Sequence, residues 1–212
     1  MIAWQYLDYL GVAVFAITGG LVAARLRQDL IAFLFFCTLT GIGGGTLRDV
    51  LLDAPVFWTQ NESYLIICGA VAVLMWFTAH IWERLDKPIR WMDALGIAAY
   101  CVMGAAKALT FGEAYFVAIL MGVATATCGG IIRDIVAGQP SAISQREVYV
   151  AATFAGATAY VVVHAFALGD NWAALAGFSV AMLLRGGALT FGWSLPTYLP
   201  PADRKKKKQK AD

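Results

Sequence analysis

Long apolar stretches dominate this chain and follow one another with little polar sequence between them. Each stretch is about 20 residues long, the length at which an α-helix crosses the hydrocarbon core of a bilayer. Of the 212 residues, 60% are hydrophobic and only 14% are charged, against about 25% charged in soluble domains. Too little polar sequence remains to cover a water-facing surface. The sequence therefore predicts an all-α, polytopic membrane protein rather than a soluble helical one.

Charged residues and turn signals divide the apolar sequence into seven predicted transmembrane helices. They lie near residues 8–25, 29–52, 63–82, 91–109, 113–137, 147–167 and 171–191. The first stretch contains Asp8 but lacks a basic n-region and a clear cleavage site, so we expect a retained helix and not a signal peptide. We expect residues 1–200 to form one transmembrane domain and residues 201–212 to form a disordered, basic tail.

Basic residues lie on alternate connections between the predicted helices. These residues are Arg25, Arg27, Arg84, Lys87, Arg90, Arg146 and the tail segment 204–210. The other connections carry acidic residues but neither Lys nor Arg, so the positive-inside rule places the N-terminus outside and the C-terminus in the cytoplasm. The basic tail would either bind anionic lipid headgroups or only fix this orientation. We expect no binding of nucleic acid, because no soluble surface remains to dock it.

The chain contains an internal repeat. Shifting the sequence by 85 residues aligns residues 8–64 with residues 93–149 without a gap, and places Arg48 on Arg133 and Asp49 on Asp134. Repeat one covers about 5–84 and repeat two about 90–168, with helix seven, about 171–191, outside the repeat. Each repeat holds three predicted helices, an odd number, so the second copy would cross the membrane in the opposite sense to the first.

Helices two and five carry glycine clusters at equivalent places in the two repeats. The segments read "LTGIGGGTLRDVLL" and "TATCGGIIRDIVAGQP", and their glycines are Gly41, Gly43, Gly44, Gly45, Gly129 and Gly130. Each central glycine costs a helix about 1 kcal/mol relative to alanine. The clusters would allow close helix packing, or a kink or unwound segment whose backbone faces a cavity. We favour the kink, because the cluster occurs twice and leads into charged residues.

An Arg-Asp pair follows each glycine cluster. Charge inside a bilayer is costly, about 2.5–3.5 kcal/mol for a central Arg, so such residues normally face protein or water and mark a pathway. Adjacent helical residues point about 100° apart, so Arg48 and Asp49, like Arg133 and Asp134, are not expected to pair well with each other. We expect each to find partners on other helices or on carbonyls exposed by the kinks. The arginines would form two basic constrictions on either side of a central cavity. Alternatively, buried ion pairs would lock the helices together.

The remaining charged and sulfur-containing residues give weaker signals. Lys107 would extend to the lipid headgroups or sense voltage. Asp8 and Asp93, near the predicted starts of helices one and four, would stabilise helix N-termini. The cysteines stand singly in apolar surroundings and are expected to be reduced core residues: Cys37, Cys68, Cys101 and Cys128. We expect no metal, no cofactor and no catalytic residues, and therefore not an enzyme.

Seven spans arranged as two inverted three-helix repeats plus one helix, with "GGGTLRD" in the second and "GGIIRD" in the fifth, resemble the trimeric intracellular cation channel (TRIC) family. The resemblance covers roughly residues 5–191 and is closer to the prokaryotic branch, some relatives of which are described as glycine transporters. It implies a homotrimer in the inner membrane of a prokaryote, with one potassium-conducting pore per protomer between helices two and five. The implied pore region is Gly43, Gly44, Gly45 and Arg48 with Gly129, Gly130 and Arg133.

The residues leave two functions open. In a potassium channel the arginines would repel cations and so act as gates or structural anchors. In a secondary transporter of a small amino acid such as glycine, the same arginines would bind the substrate carboxylate. The Lys-Glu-Val motif of the animal TRIC members is absent, so we do not carry over their lumenal regulation.

Overall fold

The computed structural model describes the backbone of residues 2–82, 86–139 and 148–195 and the side chains of residues 8–81, 90–139 and 148–195. These residues form seven long helices: α1 (Ile2–Arg25), α2 (Leu30–Leu51), α3 (Ser63–Trp82), α4 (Asp86–Thr110), α5 (Tyr115–Val136), α6 (Val150–Ala165) and α7 (Asp170–Phe191). A one-turn helix, Phe57–Gln60, follows α2. Arg84, Arg146 and the basic tail lie outside the described residues.

Six of the described helices, α1–α5 and α7, are long and apolar enough to cross a membrane. The sixth predicted span corresponds to α6, which is apolar but only 16 residues long. At about 1.5 Å per residue, α6 falls short of the roughly 30 Å hydrocarbon core. The predicted span 147–167 is therefore longer than the helix found in it.

Helices α1 and α4 begin earlier than the sequence predicts. α1 starts at Ile2 instead of residue 8, and α4 starts at Asp86 instead of residue 91. Pro88 is compatible with the α4 start because it lies in the first turn, where the backbone N–H has no partner within the helix. Asp8 and Asp93 consequently lie inside helices, so the prediction that they stabilise helix N-termini is wrong.

Helices α2 and α5 pack against each other through their glycines. Both run as continuous α-helices through these residues, so the expectation of an unwound segment is wrong, whereas a kink stays a prediction. A Cβ at Gly44 would collide with the carbonyl oxygen of Thr125, and one at Gly129 would lie only 2.7 Å from the carbonyl oxygen of Thr40. Close backbone packing, the other alternative, is therefore what the structure contains.

The close contacts are reciprocal between the two repeats. Gly44 and Gly129 are repeat equivalents, and so are Thr40 and Thr125, so each glycine meets the equivalent threonine of the other helix. The same exchange occurs once more, because Gly11 meets Tyr100 as Gly96 meets Phe15. A further equivalent contact lies within each repeat, where Gly19 meets Phe36 and Gly104 meets Met121. Since Gly44 lies beside Thr125 and Gly129 beside Thr40, α2 and α5 run antiparallel.

Helix α7 packs mainly against α6 and α4. Its contact with α6 also uses paired glycines: a Cβ at Gly156 would lie 2.8 Å from the carbonyl oxygen of Gly177, and one at Gly177 would lie 2.9 Å from that of Gly156. The second repeat therefore carries an additional helix, which makes the surroundings of its polar residues different from those of the first repeat.

Candidate functional site

A buried aspartate organises one end of the α2–α5 contact. Asp49 is fully buried and accepts hydrogen bonds from Nε of Arg48 at 2.7 Å, from Nζ of Lys107 on α4 at 2.7 Å, and from the backbone N–H of Phe57 at 2.9 Å. We call Arg48, Asp49 and Lys107 the Arg48 cluster. It joins the end of α2 both to the other repeat and to the one-turn helix after α2.

Two predictions for the Arg48 cluster are wrong. Arg48 and Asp49 were expected not to pair, yet the long arginine side chain bends back far enough for Nε to reach the neighbouring carboxylate. Lys107 does not extend to the headgroups, because its ammonium group forms an ion pair with Asp49. Any movement of Lys107 in response to voltage would have to break that ion pair.

The opposite end of the contact carries the equivalent arginine and aspartate. Nε and Nη2 of Arg133 donate to Oδ1 of Asp134 at 2.8 and 2.7 Å, so this adjacent pair also forms against expectation. Nη1 of Arg133 donates to the hydroxyl of Thr18 on α1 at 2.9 Å. We call Arg133, Asp134 and Thr18 the Arg133 cluster. Because α2 and α5 are antiparallel, the two clusters lie on opposite sides of the glycine contact.

A cavity of about 540 Å³ with both charged and apolar lining residues opens beside the Arg48 cluster. We call it the Arg48-side cavity, and its charged or titratable lining residues are Asp8, Arg48, Lys107, Tyr160, His164 and Asp170. Nδ1 of His164 lies 3.0 Å from Oδ1 of Asp170, and the His164 ring stacks on Tyr160. This cavity is large enough to hold several water molecules or a small hydrated ion.

Asp8 faces this cavity from α1. Its Oδ2 accepts a hydrogen bond from the Tyr64 hydroxyl at 2.6 Å, and its Oδ1 accepts one from the Tyr100 hydroxyl at 2.9 Å. Asp93, the repeat equivalent of Asp8, interacts electrostatically with Tyr149, the repeat equivalent of Tyr64. The aspartate positions of α1 and α4 thus pair with tyrosines that follow two helices later in the chain.

A second, much smaller hollow lies within the glycine contact. It measures about 10 Å³, room for about one water molecule, and we call it the central hollow. Five of the six predicted pore glycines line it: Gly41, Gly44, Gly45, Gly129 and Gly130. Gly43 instead lines an apolar groove on the α2 surface, together with Ile132.

Two aromatic side chains separate the Arg48-side cavity from the central hollow. Phe57 lines the cavity and lies against Gly45, where an added Cβ would be 2.7 Å from the phenyl ring. Tyr100 lines the hollow, and its hydroxyl reaches Asp8 in the cavity.

Sequence reasoning missed Arg185 on α7. Its side chain is buried, and its guanidinium carbon lies 5.1 Å from the ring centroid of Tyr149. Tyr149 also interacts electrostatically with Arg133 and Asp134. The signal was present in the sequence, because a single arginine inside the apolar run "MLLRGGAL" is as costly as Arg48.

In the part of the chain that the structure describes, the cysteines and acidic residues show no arrangement that would hold a metal. Cys37, Cys68 and Cys101 are buried free thiols, as predicted, and Cys128 is half-buried. Among the residues whose structure is described, no three His, Cys, Asp or Glu side chains group as metal ligands would.

The family comparison reproduces the internal repeat. The chain matches a protein-family model described as "Glycine transporter" over residues 5–80 and again over residues 90–165. The two matches are offset by the same 85 residues that relate the glycine clusters.

Known proteins similar to this chain are membrane proteins. It is 36% identical to the inner membrane protein YadS of Escherichia coli (strain K12), over 91% of this chain and 95% of that protein. It is equally 36% identical to a membrane protein of Vibrio cholerae, over 91% of this chain and 81% of that protein. A solved structure of the TRIC trimeric intracellular cation channel orthologue from Rhodobacter sphaeroides is 41% identical, with a TM-score of 0.86 over 91% of this chain and 100% of that one.

The family model, the similar proteins and the shared fold all point to one family of membrane proteins. This agrees with the six described helices that are long and apolar enough to cross a membrane. This chain is therefore a multi-pass membrane protein that belongs to the prokaryotic branch of the TRIC family.

Proposed function

We propose that this protein is a monovalent cation channel that conducts potassium through one pore in each protomer. The observation that carries the proposal is the Arg48-side cavity with its charged lining residues, beside a glycine-lined helix contact that has an Arg-Asp pair on either side. The similar Rhodobacter sphaeroides protein is described as a trimeric intracellular cation channel. The proposed pore residues are the predicted glycines around the central hollow, together with Arg48, Asp49, Arg133 and Asp134.

The proposed ion path runs from the Arg48-side cavity, past Phe57 and Tyr100, through the central hollow to the Arg133 cluster. The central hollow has room for about one water molecule, so this conformation corresponds to a closed channel. Opening requires α2 and α5 to move apart at the glycine contact. The backbone carbonyls of Thr40 and Thr125 face the glycines there, and carbonyl oxygens can replace the hydration shell of a potassium ion.

The paired aspartates explain how arginines are compatible with a cation path. Each arginine shares hydrogen bonds with the neighbouring aspartate, so a passing cation meets an ion pair instead of an isolated positive charge. A rearrangement that separates Arg48 from Asp49, or Arg133 from Asp134, would expose the positive charge and raise the barrier to cations. We therefore assign the two pairs to gating.

The membrane arrangement follows from the same proposal. Repeat one, about 5–84, and repeat two, about 90–168, would be inverted in the inner membrane of a prokaryote, with a seventh helix near 171–191. The N-terminus would face outside and the C-terminus the cytoplasm, so the Arg48-side cavity would open outward. The name of the Rhodobacter sphaeroides relative supports a homotrimer, and the exposed apolar groove around Gly43 offers surface for lipid or a neighbouring protomer.

A glycine transporter is the second candidate function. The family model carries that description, and the Arg48-side cavity presents cations and carboxylates together, as recognition of a zwitterion would require. Arg48 and Lys107 would face the substrate carboxylate, and Asp8 or Asp170 would face its ammonium group. Both cations are, however, already bonded to Asp49, which favours the channel.

Purified protein in a planar bilayer distinguishes the two functions. A channel gives unitary potassium currents, in which ions pass far faster than a carrier transports its substrate. These currents do not require glycine. Saturable glycine uptake into proteoliposomes without such currents would overturn the channel proposal. Empty liposomes and protein unfolded before reconstitution serve as controls.

A further inference from the structure

If cations pass through the Arg48-side cavity, they meet an excess of positive charge on the Arg48 cluster. Arg48 and Lys107 both line the cavity, and both bond to the single carboxylate of Asp49. Asp49 offsets one of the two positive charges, so the cluster retains one unit of positive charge. An ion path beside such a charge would favour anions over cations.

Two aspartates line the cavity, but Asp170 is exposed and faces His164, so Asp8 is the one placed to offset the charge of the Arg48 cluster. Its side chain lines the same cavity as Arg48 and Lys107. The hydroxyls of Tyr64 and Tyr100 each donate to a different carboxylate oxygen of Asp8, at 2.6 and 2.9 Å. These two bonds come from α3 and α4, so the carboxylate is fixed in position by neighbours on both repeats.

The tyrosines leave the carboxylate able to act on ions. A carboxylate has about four lone-pair sites, and the two hydroxyls occupy two of them. Arg48 also interacts electrostatically with both Tyr64 and Tyr100, which places its charge near the same group. Asp8 is therefore a fixed negative charge beside the retained positive charge of the Arg48 cluster.

We infer that Asp8 is a specificity-determining residue, whose carboxylate cancels the excess positive charge of the Arg48 cluster and makes the cavity select cations over anions. This inference rests on the proposed channel function. The chemistry it recognises is a monovalent cation with its hydration water, and the residue acts through its charge without needing to bind the ion tightly.

The test is the potassium-to-chloride permeability ratio, measured from reversal potentials under a KCl gradient. Asp8→Asn should lower the ratio about fivefold or more, as expected for the loss of one unit charge beside a passing ion in a partly hydrated cavity. It should also lower the current of cations that enter through this cavity more than that of cations leaving through it. An unchanged ratio in a conducting Asp8→Asn channel overturns the inference.

Asp53→Asn is the matched control. Asp53 follows α2 near the same end of the protein and is exposed, and it does not line the cavity. Its backbone has φ 50°, a conformation that asparagine adopts readily. The variant makes the same charge change and should leave the permeability ratio within the error of the wild-type value.

A cysteine variant separates charge from folding, because Asp8→Asn also alters the bonds to two tyrosines. In the Asp8→Cys channel, an anionic thiosulfonate reagent should raise the potassium-to-chloride permeability ratio, and a cationic reagent should lower it. Both reagents act on the same folded protein, so a difference between them reports charge and not folding. The unmodified wild type controls for Cys128, the half-buried native thiol. Equal responses to both reagents would contradict the inference about Asp8. If the wild-type protein gives no current at all, the proposed channel function itself is wrong.

Discussion

The Arg48 and Arg133 clusters occupy equivalent positions in the two repeats, yet they are bonded differently. Asp49 is fully buried and accepts from two cations and a backbone N–H. Asp134 is slightly exposed and accepts two hydrogen bonds from the guanidinium group of Arg133. The Arg48 cluster adjoins a large cavity with charged lining residues, and the Arg133 cluster adjoins Tyr149, whose ring lies beneath Arg185 on α7.

Two diverged positions account for the different side-chain partners that the clusters draw from the opposite repeat. Lys107 in repeat two corresponds to Val22 in repeat one, and Thr18 in repeat one corresponds to Met103 in repeat two. Each cluster thus recruits a polar partner from the other repeat, but one partner is a cation and the other is a neutral hydroxyl. The repeats retain the glycine contact that joins them and differ in the charge on each side of it.

The largest expected loss of stability comes from removing the carboxylate of either cluster, Asp49 or Asp134. Asp49→Asn would leave two cations without their shared counter-charge and should lower the free energy of unfolding by about 3–5 kcal/mol, the cost of breaking a buried ion pair. Asp134→Asn should cost less, about 1–3 kcal/mol, because Arg133 keeps its bond to Thr18 and is partly exposed. Unfolding by increasing dodecyl sulfate, followed by circular dichroism, measures both.

The comparison fails if the two asparagine variants are equally stable. Asp49→Asn combined with Lys107→Met provides the control, since removing one of the two cations should restore part of the lost stability. No recovery in the double variant would mean that Lys107 does not depend on Asp49.

A smaller loss of stability is expected from a substitution in the glycine contact between α2 and α5, which lies between the two clusters. Gly44→Ala would push a Cβ into the carbonyl oxygen of Thr125, a backbone atom that cannot rotate away, and should cost about 1–3 kcal/mol through overpacking. Gly43→Ala is the matched control on the same helix, because its Cβ would lie 3.5 Å from the nearest atom, Cα of Gly129. It should be neutral or stabilising by up to about 1 kcal/mol. The same unfolding measurement decides, and equal stabilities would contradict the requirement for glycine at 44.

The smallest loss of stability is expected from a substitution of Thr18, the uncharged member of the Arg133 cluster. The Thr18 hydroxyl donates to the carbonyl of Phe15 and accepts from Arg133, so Thr18→Val should cost about 1 kcal/mol. Thr158→Val is the control, because the half-buried Thr158 bonds within its own helix, at the carbonyl of Phe154. A loss of stability as large in Thr158→Val as in Thr18→Val would show that the bond to Arg133 contributes nothing.

Composition and periodicity were sufficient to predict most of the architecture. Apolar stretches predicted the helices, and the 85-residue shift predicted which residues would be equivalent, as Gly44 and Gly129 show in their reciprocal contacts. The shortness of α6 and the early starts of α1 and α4 were not predicted. Helix ends depend on caps and tertiary packing that an apolar stretch does not encode.

The site was predicted less completely, because its bonds join residues far apart in the chain. The glycine and Arg-Asp positions were visible as costly residues in apolar sequence, but the partnership of Lys107 with Asp49 spans 58 residues and leaves no local pattern. Asp8 was misjudged because its role depends on Tyr64 and Tyr100, which lie 56 and 92 residues away. Phe57 lies in a short connection and was not recognised as the residue that separates the two spaces.

Chemical modification at Gly130 tests the central claim, that ions pass between α2 and α5 through the central hollow. Gly130 lines the hollow, and a Cβ there would meet nothing closer than 3.7 Å, so Gly130→Cys should be tolerated. In a Cys128→Ser background, a small cationic thiol reagent should block the potassium current irreversibly, and faster when the channel is open. Complete modification, verified by mass spectrometry, with an unchanged current would contradict the account.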